Sequence, residues 1–141
     1  MTYVRVYAGP DGESHLEDVA LEMTPTAVFP SLPLLAVAAP IPVSALLFVR
    51  FPAEAREAGW RHPPRRQFVI FGADVEVTVS DGTVRRIAAG SPVVFEDTTG
   101  RGHATRILAE GDTLALFLPL AVCRREGKAP HRLRWYSCEH E

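Results

Sequence analysis

The segment DVEVTVSDGTVRRI, residues 74–87, decides the fold class of this chain. Polar and apolar side chains alternate with period two over residues 74–79, which is the pattern of a strand with one buried face. The Asp-Gly pair at 81–82 favours a tight hairpin turn, because glycine adopts positive φ without steric cost. Residues 83–87 then return as the partner strand. The segment therefore predicts an antiparallel β-hairpin.

Further short strands separated by turns flank this hairpin on both sides. Candidate strands cover residues 4–7, 45–51, 66–71, 93–96, 105–108 and 113–118. A Pro-rich stretch from 24 to 42 predicts extended chain or an edge, since proline cannot donate to a ladder. The only helical candidate, residues 52–58, has the length of a single turn. Short strands with frequent turn signals indicate an all-β sandwich or barrel.

The composition is that of one soluble globular domain. The chain has 141 residues, of which 47% are apolar and 23% charged, and this excludes intrinsic disorder. Lys and Arg total 15 against 17 Asp and Glu, a net charge of −2 that argues against nucleic-acid or anionic-membrane partners. The first residues lack the architecture of a signal peptide, and the prolines of the most apolar stretch would break a spanning helix. We expect a cytoplasmic protein.

Residues 1–120 are predicted to form the domain, and residues 121–141 a basic, aromatic C-terminal extension packed on it. Binding of an acidic ligand or a second subunit is the alternative role for this extension. Two cysteines, Cys123 and Cys138, are too few for a disulfide scaffold. We expect them to form a disulfide or to be buried thiols, because a catalytic cysteine needs a base beside it.

Three histidines lie next to predicted strands or in an acidic context. His62 precedes one strand, His103 follows another, and His15 lies within the acidic stretch 11–18. Two histidines at the rims of paired strands can point into one barrel mouth, the geometry that a mononuclear metal site needs. The structural alternatives are that His62 caps its strand and that His103 bonds to Glu96 or to the next residue, Asp97.

Three motifs carry a resemblance to a known family. They are W-x-H-P-P-R-R-Q at residues 60–67, V-x-V-S-D-G at 77–82 and E-D-T-T-G-x-G-H at 96–103. Over residues 46–120 the chain resembles the cupin superfamily, and more specifically a small bacterial cupin subfamily without an assigned activity. The resemblance implies a single small cupin-type β-barrel, jelly-roll-like, that binds a metal or a small molecule inside.

The general cupin motifs are degenerate in this chain. In the first motif, His62 fits the second histidine, Gln67 stands at the glutamate position and Trp60 at the first histidine. In the second motif, Glu96 replaces the proline and His103 arrives two residues late. The motif departures weaken the expected metal site without removing it.

If a metal binds, the resemblance implies His62, Gln67 and His103 as its ligands. The ion would be a divalent transition metal such as Zn, Fe, Mn or Ni. Two imidazoles and a neutral amide hold such an ion loosely, because the set has no anion unless Glu96 turns inward. Glutamine is thought to be a ligand in some cupin polyketide cyclases, so Gln67 does not exclude metal. No cofactor is therefore certain.

Acid–base chemistry is the alternative use of the same residues. His62 or His103 would act as the base, and Arg66 or Gln67 would stabilise a developing enolate. One of Arg65 and Arg66 should face inward, because neighbouring strand residues point to opposite faces. A structural ion pair with Glu96 or Asp97 is the other interpretation of that arginine.

Four residues are predicted to contact substrate: Trp60, Gln67, Glu96 and His15. Trp60 is either a core residue or an aromatic wall for a flat ligand.

Three functions stay open. The first is an enzyme that rearranges a small organic molecule by cyclisation, isomerisation or dehydration. The second is a metal-dependent cupin oxygenase, and the third a cupin that binds a small molecule without converting it. A homodimer is expected, because the apolar Pro-rich stretch needs covering, although its own domain could also cover it.

Overall fold

The computed structural model describes residues 1–122, which contain twelve β-strands and one 3-10 turn at Ala53–Ala55. The strands are β1 (Thr2–Ala8), β2 (Ser14–Ala20), β3 (Met23–Thr26), β4 (Leu35–Ala38), β5 (Leu47–Phe51), β6 (Glu57–Arg61), β7 (Gln67–Phe71), β8 (Val75–Val79), β9 (Val84–Ile87), β10 (Pro92–Phe95), β11 (His103–Ile107) and β12 (Thr113–Pro119). The predicted C-terminal extension, with both cysteines, lies outside the described residues from position 123 onward.

Ten of these strands form two sheets that share one core. The six-stranded sheet has the order β2-β1-β10-β7-β12-β5, and the four-stranded sheet has the order β6-β11-β8-β9. Strands β3 and β4 form a separate hairpin. Neighbouring strands are antiparallel except β1 and β10, which are parallel. The two larger sheets contribute opposite walls of the interior.

Alternating valines of both sheets build this interior. Val75, Val77 and Val79 of β8 are fully buried, as the period-two pattern predicts. They pack in one cluster with Val69 of β7 and Val93 of β10 from the opposite sheet. Burial of these branched side chains is the main favourable term in folding.

The prediction of an all-β domain is confirmed. Strand β8 pairs with β9 as the sequence pattern indicates, and Gly82 adopts a φ of +95° in the turn between them. The ladders of residues 1–122 make a two-sheet sandwich and do not join into one closed ring. At one corner the sheets meet through a side chain, where the Ser14 amide donates to the Ser80 hydroxyl at 2.7 Å.

Some elements were not predicted from the sequence. Residues 14–20 form the edge strand β2, although charged residues interrupt their alternation. Residues 57–61 form β6, so the predicted helical turn is shorter and covers only Ala53–Ala55. In the part of the chain that the structure describes, no helix is long and apolar enough to cross a bilayer.

The Pro-rich stretch lies partly across the outer face of the six-stranded sheet. Ile41 and Val43 line a shallow hollow there with Tyr3, Phe68 and Leu118. Further apolar residues of the stretch are more exposed than Ile41 and Val43: Val28, Phe29, Leu32 and Leu34. The expected homodimer stays a prediction.

Replacing Val77 with alanine should lower the free energy of unfolding by about 2 kcal/mol, because it removes buried methyl groups and leaves a cavity. Val84, which is 53% exposed on the neighbouring strand, is the matched control. Urea unfolding should show a change well below 1 kcal/mol for Val84→Ala. Equal effects of the two substitutions would contradict the assigned faces of this hairpin.

Candidate active site

A cavity of about 330 Å³ opens between the two sheets. Phenylalanine rings from four strands of the larger sheet line its apolar wall: Phe51, Phe71, Phe95 and Phe117. Its polar lining comes from Arg56, Arg61, His62, Gln67, His103 and Thr105. A mostly apolar hollow with a few polar groups is typical of a small-molecule site.

A buried carboxylate holds one of the predicted histidines in the cavity wall. His103 Nδ1 lies 2.7 Å from Asp97 Oδ2, and the Asp97 side chain is fully buried. The same oxygen accepts a second hydrogen bond from the Ser14 hydroxyl at 2.9 Å. The imidazole also stacks on Phe95, with ring centroids 4.3 Å apart and planes inclined by 16°. These contacts fix the orientation of the His103 ring.

The bond to Asp97 also selects the tautomer of His103. An ionised carboxylate only accepts hydrogen bonds, so Nδ1 of the ring must donate. A neutral His103 then keeps its lone pair on Nε2, and the residue lines the cavity. The pair Asp97–His103 is thus arranged as an oriented base.

Three predicted site residues line this one cavity: His62, Gln67 and His103. Gln67 begins β7, and His62 follows β6 at the exposed end of the cavity. Their convergence agrees with the spacing of the two motif regions. The alternative in which His103 bonds to Asp97 is also observed, and Glu96 pairs instead with Arg5 and Arg66.

The donor set is a poor fit for a tightly held transition metal. His62 and His103 offer imidazole nitrogens, and Gln67 adds a neutral amide oxygen. Within residues 1–122, no three His, Cys, Asp or Glu side chains are grouped as metal ligands. Zinc and iron sites usually have three or more strong donors, so we assign no step to a metal.

Trp60 does not line the cavity, and a β-bulge is the reason. His103 pairs with Arg61, but Thr105 pairs with Ala58, so strand β6 carries one extra residue against β11. A bulge shifts the inside–outside alternation by one position. Ala58 and Arg61 therefore face the cavity, and Trp60 is 57% exposed. The motif had suggested Trp60 as a ligand wall or core residue, and its exposure excludes the core.

Arg66 and Glu96 form an ion pair outside the cavity lining. Arg66 Nη2 lies 3.0 Å from Glu96 Oε2, and Arg5 reaches the same oxygen at 3.3 Å. Arg66 is therefore in the structural pair that the sequence allowed as its alternative role. A catalytic role for Arg66 and substrate contact by Glu96 gain no support from these positions.

His15 lies at the sheet corner and does not line the cavity. Its Nδ1 is 2.8 Å from Asp81 Oδ2, and its Nε2 is 3.3 Å from Asp11 Oδ1. Two facing carboxylates favour the doubly protonated ring, and the hydrogen bond to Asp81 is the larger reason why the pKa of His15 is raised. We therefore leave His15 out of the proposed site.

Sequence reasoning missed Arg56 and Arg61 as cavity residues. The only sequence sign of the bulge in β6 is the glycine at position 59, and a glycine within a strand is weak evidence for a bulge. Asp97 was recognisable as a possible partner because it lies six residues before His103.

Comparisons with known proteins leave the family open. No protein-family model matches the sequence, and no curated protein matches it significantly. Among solved structures, protein NMB1881 from Neisseria meningitidis is similar at 18% sequence identity and a TM-score of 0.41. The similarity covers 53% of this chain and 71% of that one. A likeness of this size carries no argument about function.

Gly102 positions the backbone of the cavity mouth. It has a φ of +76°, and a Cβ there would lie 2.8 Å from the His62 nitrogen and closer still to the Arg61 carbonyl. Gly102→Ala should therefore cost backbone strain and a clash, on the order of 3 kcal/mol together. Urea unfolding measures this cost.

Gly82 provides the matched control, because its φ of +95° is also positive but nothing lies within 4 Å of its added Cβ. Gly82→Ala should cost about 1 kcal/mol, from strain alone. If the two variants were equally destabilised, the close approach of the His62 backbone to Gly102 would contribute nothing to the cost of adding a Cβ.

The His15 cluster predicts a pH dependence of stability. Because the folded pKa of His15 is raised above its ordinary 6.5, its stabilising contribution is complete below that pH and is lost as pH rises through the folded value. The pKa of Asp81 is lowered from 3.8 by hydrogen bonds from Thr83, so its contribution is lost only in acid. Wild-type protein should therefore lose stability relative to His15→Gln as pH rises above 6.5.

Thermal unfolding of both proteins across this range tests the cluster. Parallel curves for wild type and His15→Gln would show that His15 is not stabilised in its protonated form.

Proposed function

We propose that this protein is an enzyme that moves a proton on a small, largely apolar organic molecule held between its sheets. The observation that carries the proposal is the bond between buried Asp97 and His103 in the wall of an apolar cavity. Cyclisation, isomerisation and dehydration all need a shaped cavity and one or two proton-transfer groups. The cupin family remains our proposal for its ancestry, supported by the motifs and compatible with an all-β sandwich.

His103 is the catalytic base in this proposal. Its Nε2 takes a proton from an acidic C–H group of the substrate, and the electron pair of that bond moves toward an adjacent carbonyl, which becomes an enolate. Asp97 stabilises the imidazolium that forms, acting as a positioning residue. His103 then returns the proton to another carbon in an isomerisation, or to a departing oxygen in a dehydration. The reaction is balanced without a redox partner.

Gln67 is suited to stabilise the enolate oxygen. Its amide group can donate two hydrogen bonds without carrying charge, and it lines the same cavity as His103. Hydrogen bonds aimed at developing charge are strongest where water is excluded. His62 lines the same cavity and is exposed to solvent.

A protein that only binds a small molecule would account for the cavity but not for the buried Asp97–His103 pair in its wall. An apolar hollow alone is enough to hold a ligand. Burying a carboxylate is costly, however, and here the buried carboxylate fixes an imidazole that lines the hollow. This arrangement favours the enzyme over the binding protein.

Turnover of 5-nitrobenzisoxazole tests the proposed base without knowledge of the natural substrate. A base removes the proton from C3 of this flat, neutral molecule, its N–O bond breaks, and a coloured cyanophenolate forms. Wild-type protein should accelerate the reaction above buffer, and His103→Gln should lose about 100-fold of that acceleration. Asp97→Asn should lose about 10-fold or more, because it alters the tautomer.

His15→Gln is the matched control, since that histidine lies outside the cavity, and thermal unfolding confirms that each variant is folded. Equal rates for wild type and His103→Gln, or no acceleration by wild type, would contradict the proposal. A rate abolished by a chelator would favour the metal-dependent alternative instead.

A further inference from the structure

We propose that the cavity takes a carboxylate-bearing substrate, a small organic acid with an aromatic or branched apolar body. This inference rests on the proposed function, because it names the substrate class of the same cavity. It is carried by two arginines at the cavity mouth, Arg56 and Arg61, that have no acidic partner among residues 1–122.

The ion pairs of the described residues set these arginines apart. Seven of the ten described arginines lie within 4.0 Å of a carboxylate: Arg5, Arg50, Arg66, Arg85, Arg86, Arg101 and Arg106. Arg56, Arg61 and Arg65 have no such partner within residues 1–122, and the first two line the cavity. The cavity lining contains no aspartate or glutamate in the same described range.

Each of the two guanidinium groups is held by one hydrogen bond from its Nε, which leaves its two Nη atoms available to a ligand. Arg61 Nε donates to the carbonyl of Gly59 at 3.4 Å, and Arg56 Nε donates to the carbonyl of Ala53 at 3.3 Å. Each contact uses the Nε–H group and leaves the four Nη protons for another partner. A carboxylate matches this fork with two parallel hydrogen bonds.

The β-bulge gives Arg61 its place at the mouth. If the same residues of β6 paired with β11 without a bulge, alternation from Ala58 would bring Trp60 to the cavity face and turn Arg61 outward. Gly102 then lets the Arg61 backbone approach β11 closely. The fold therefore places the cationic Arg61 in the cavity lining, although the net charge of the protein is −2.

The order of groups along the cavity defines the ligand. Exposed arginines mark the mouth, phenylalanine rings line the wall, and the buried His103 lies in the same wall. An acid bound with its carboxylate at the mouth places its apolar body among the rings, where burial is favourable. An acidic C–H group on that body then shares the cavity with the proposed base.

Binding of 3-phenylpropanoate and of its neutral analogue 3-phenylpropanamide, measured by calorimetry on the full chain, tests this substrate class. Wild-type protein should bind the acid about tenfold or more tightly than the amide. Arg61→Gln and Arg56→Gln should each reduce this preference, and the double variant should abolish it. The preference should also weaken as salt concentration rises.

Arg65→Gln is the matched control, because Arg65 also has no acidic partner in residues 1–122 but does not line the cavity. Equal affinity for acid and amide, no binding of either, or an equal loss in Arg65→Gln would overturn the inference. Tighter binding of phenyl phosphate than of the acid would also overturn it, in favour of a phosphate ester.

The binding and turnover experiments distinguish failure of this substrate class from failure of the proposed proton transfer. Carboxylate selectivity without turnover of the neutral benzisoxazole would sustain this inference and defeat the proposed proton transfer. Turnover without carboxylate selectivity would do the reverse.

Discussion

The hydrogen bond between Asp97 and His103 is the interaction on which the rest of the arrangement depends. It joins the loop after β10 of the larger sheet to the start of β11 in the smaller one. The Ser14 hydroxyl donates to the same carboxylate oxygen, so β2 is tied to the same point. A buried carboxylate needs such donors, because leaving it unpaired in an apolar interior is costly. The contact that orients the proposed base therefore also links the two sheets. The same hydrogen bond serves the proposed chemistry and the stability of the fold.

Much of the fold could be read from local patterns. The β8–β9 hairpin combines strict alternation with an Asp-Gly turn, and each of these signals acts over only a few residues. Strand β2 was missed because charged side chains break its alternation, which an edge strand tolerates since one of its faces meets solvent. Strand β6 was missed for a related reason, because its pattern contains a bulge. The choice between two sheets and a closed ring depends on pairing between distant residues, which local patterns do not encode.

Site residues whose positions follow from motif spacing were predictable from the sequence. Those whose positions depend on strand pairing were not. His62, Gln67 and His103 do line one cavity, as the positions of their motifs indicated. Trp60 was expected at the cavity, but Arg61 lines it instead, because β6 carries one extra residue against β11. Arg66 pairs with Glu96, and this ion pair was one of two open interpretations. A sequence shows which charges exist, whereas their partners depend on the folded neighbourhood.

The bulge in β6 has a consequence for how such a cavity can diversify. Strand β6 is an edge of its sheet, so a change in its length disturbs one ladder only. Deleting Arg61 itself would let Trp60 pair with His103 in regular alternation and would replace a cation at the mouth with an indole ring. The buried valines would keep their places, and so would the pair that orients the base. Descendants of such a chain can therefore acquire a new ligand preference through an indel at the rim, with no substitution in the core.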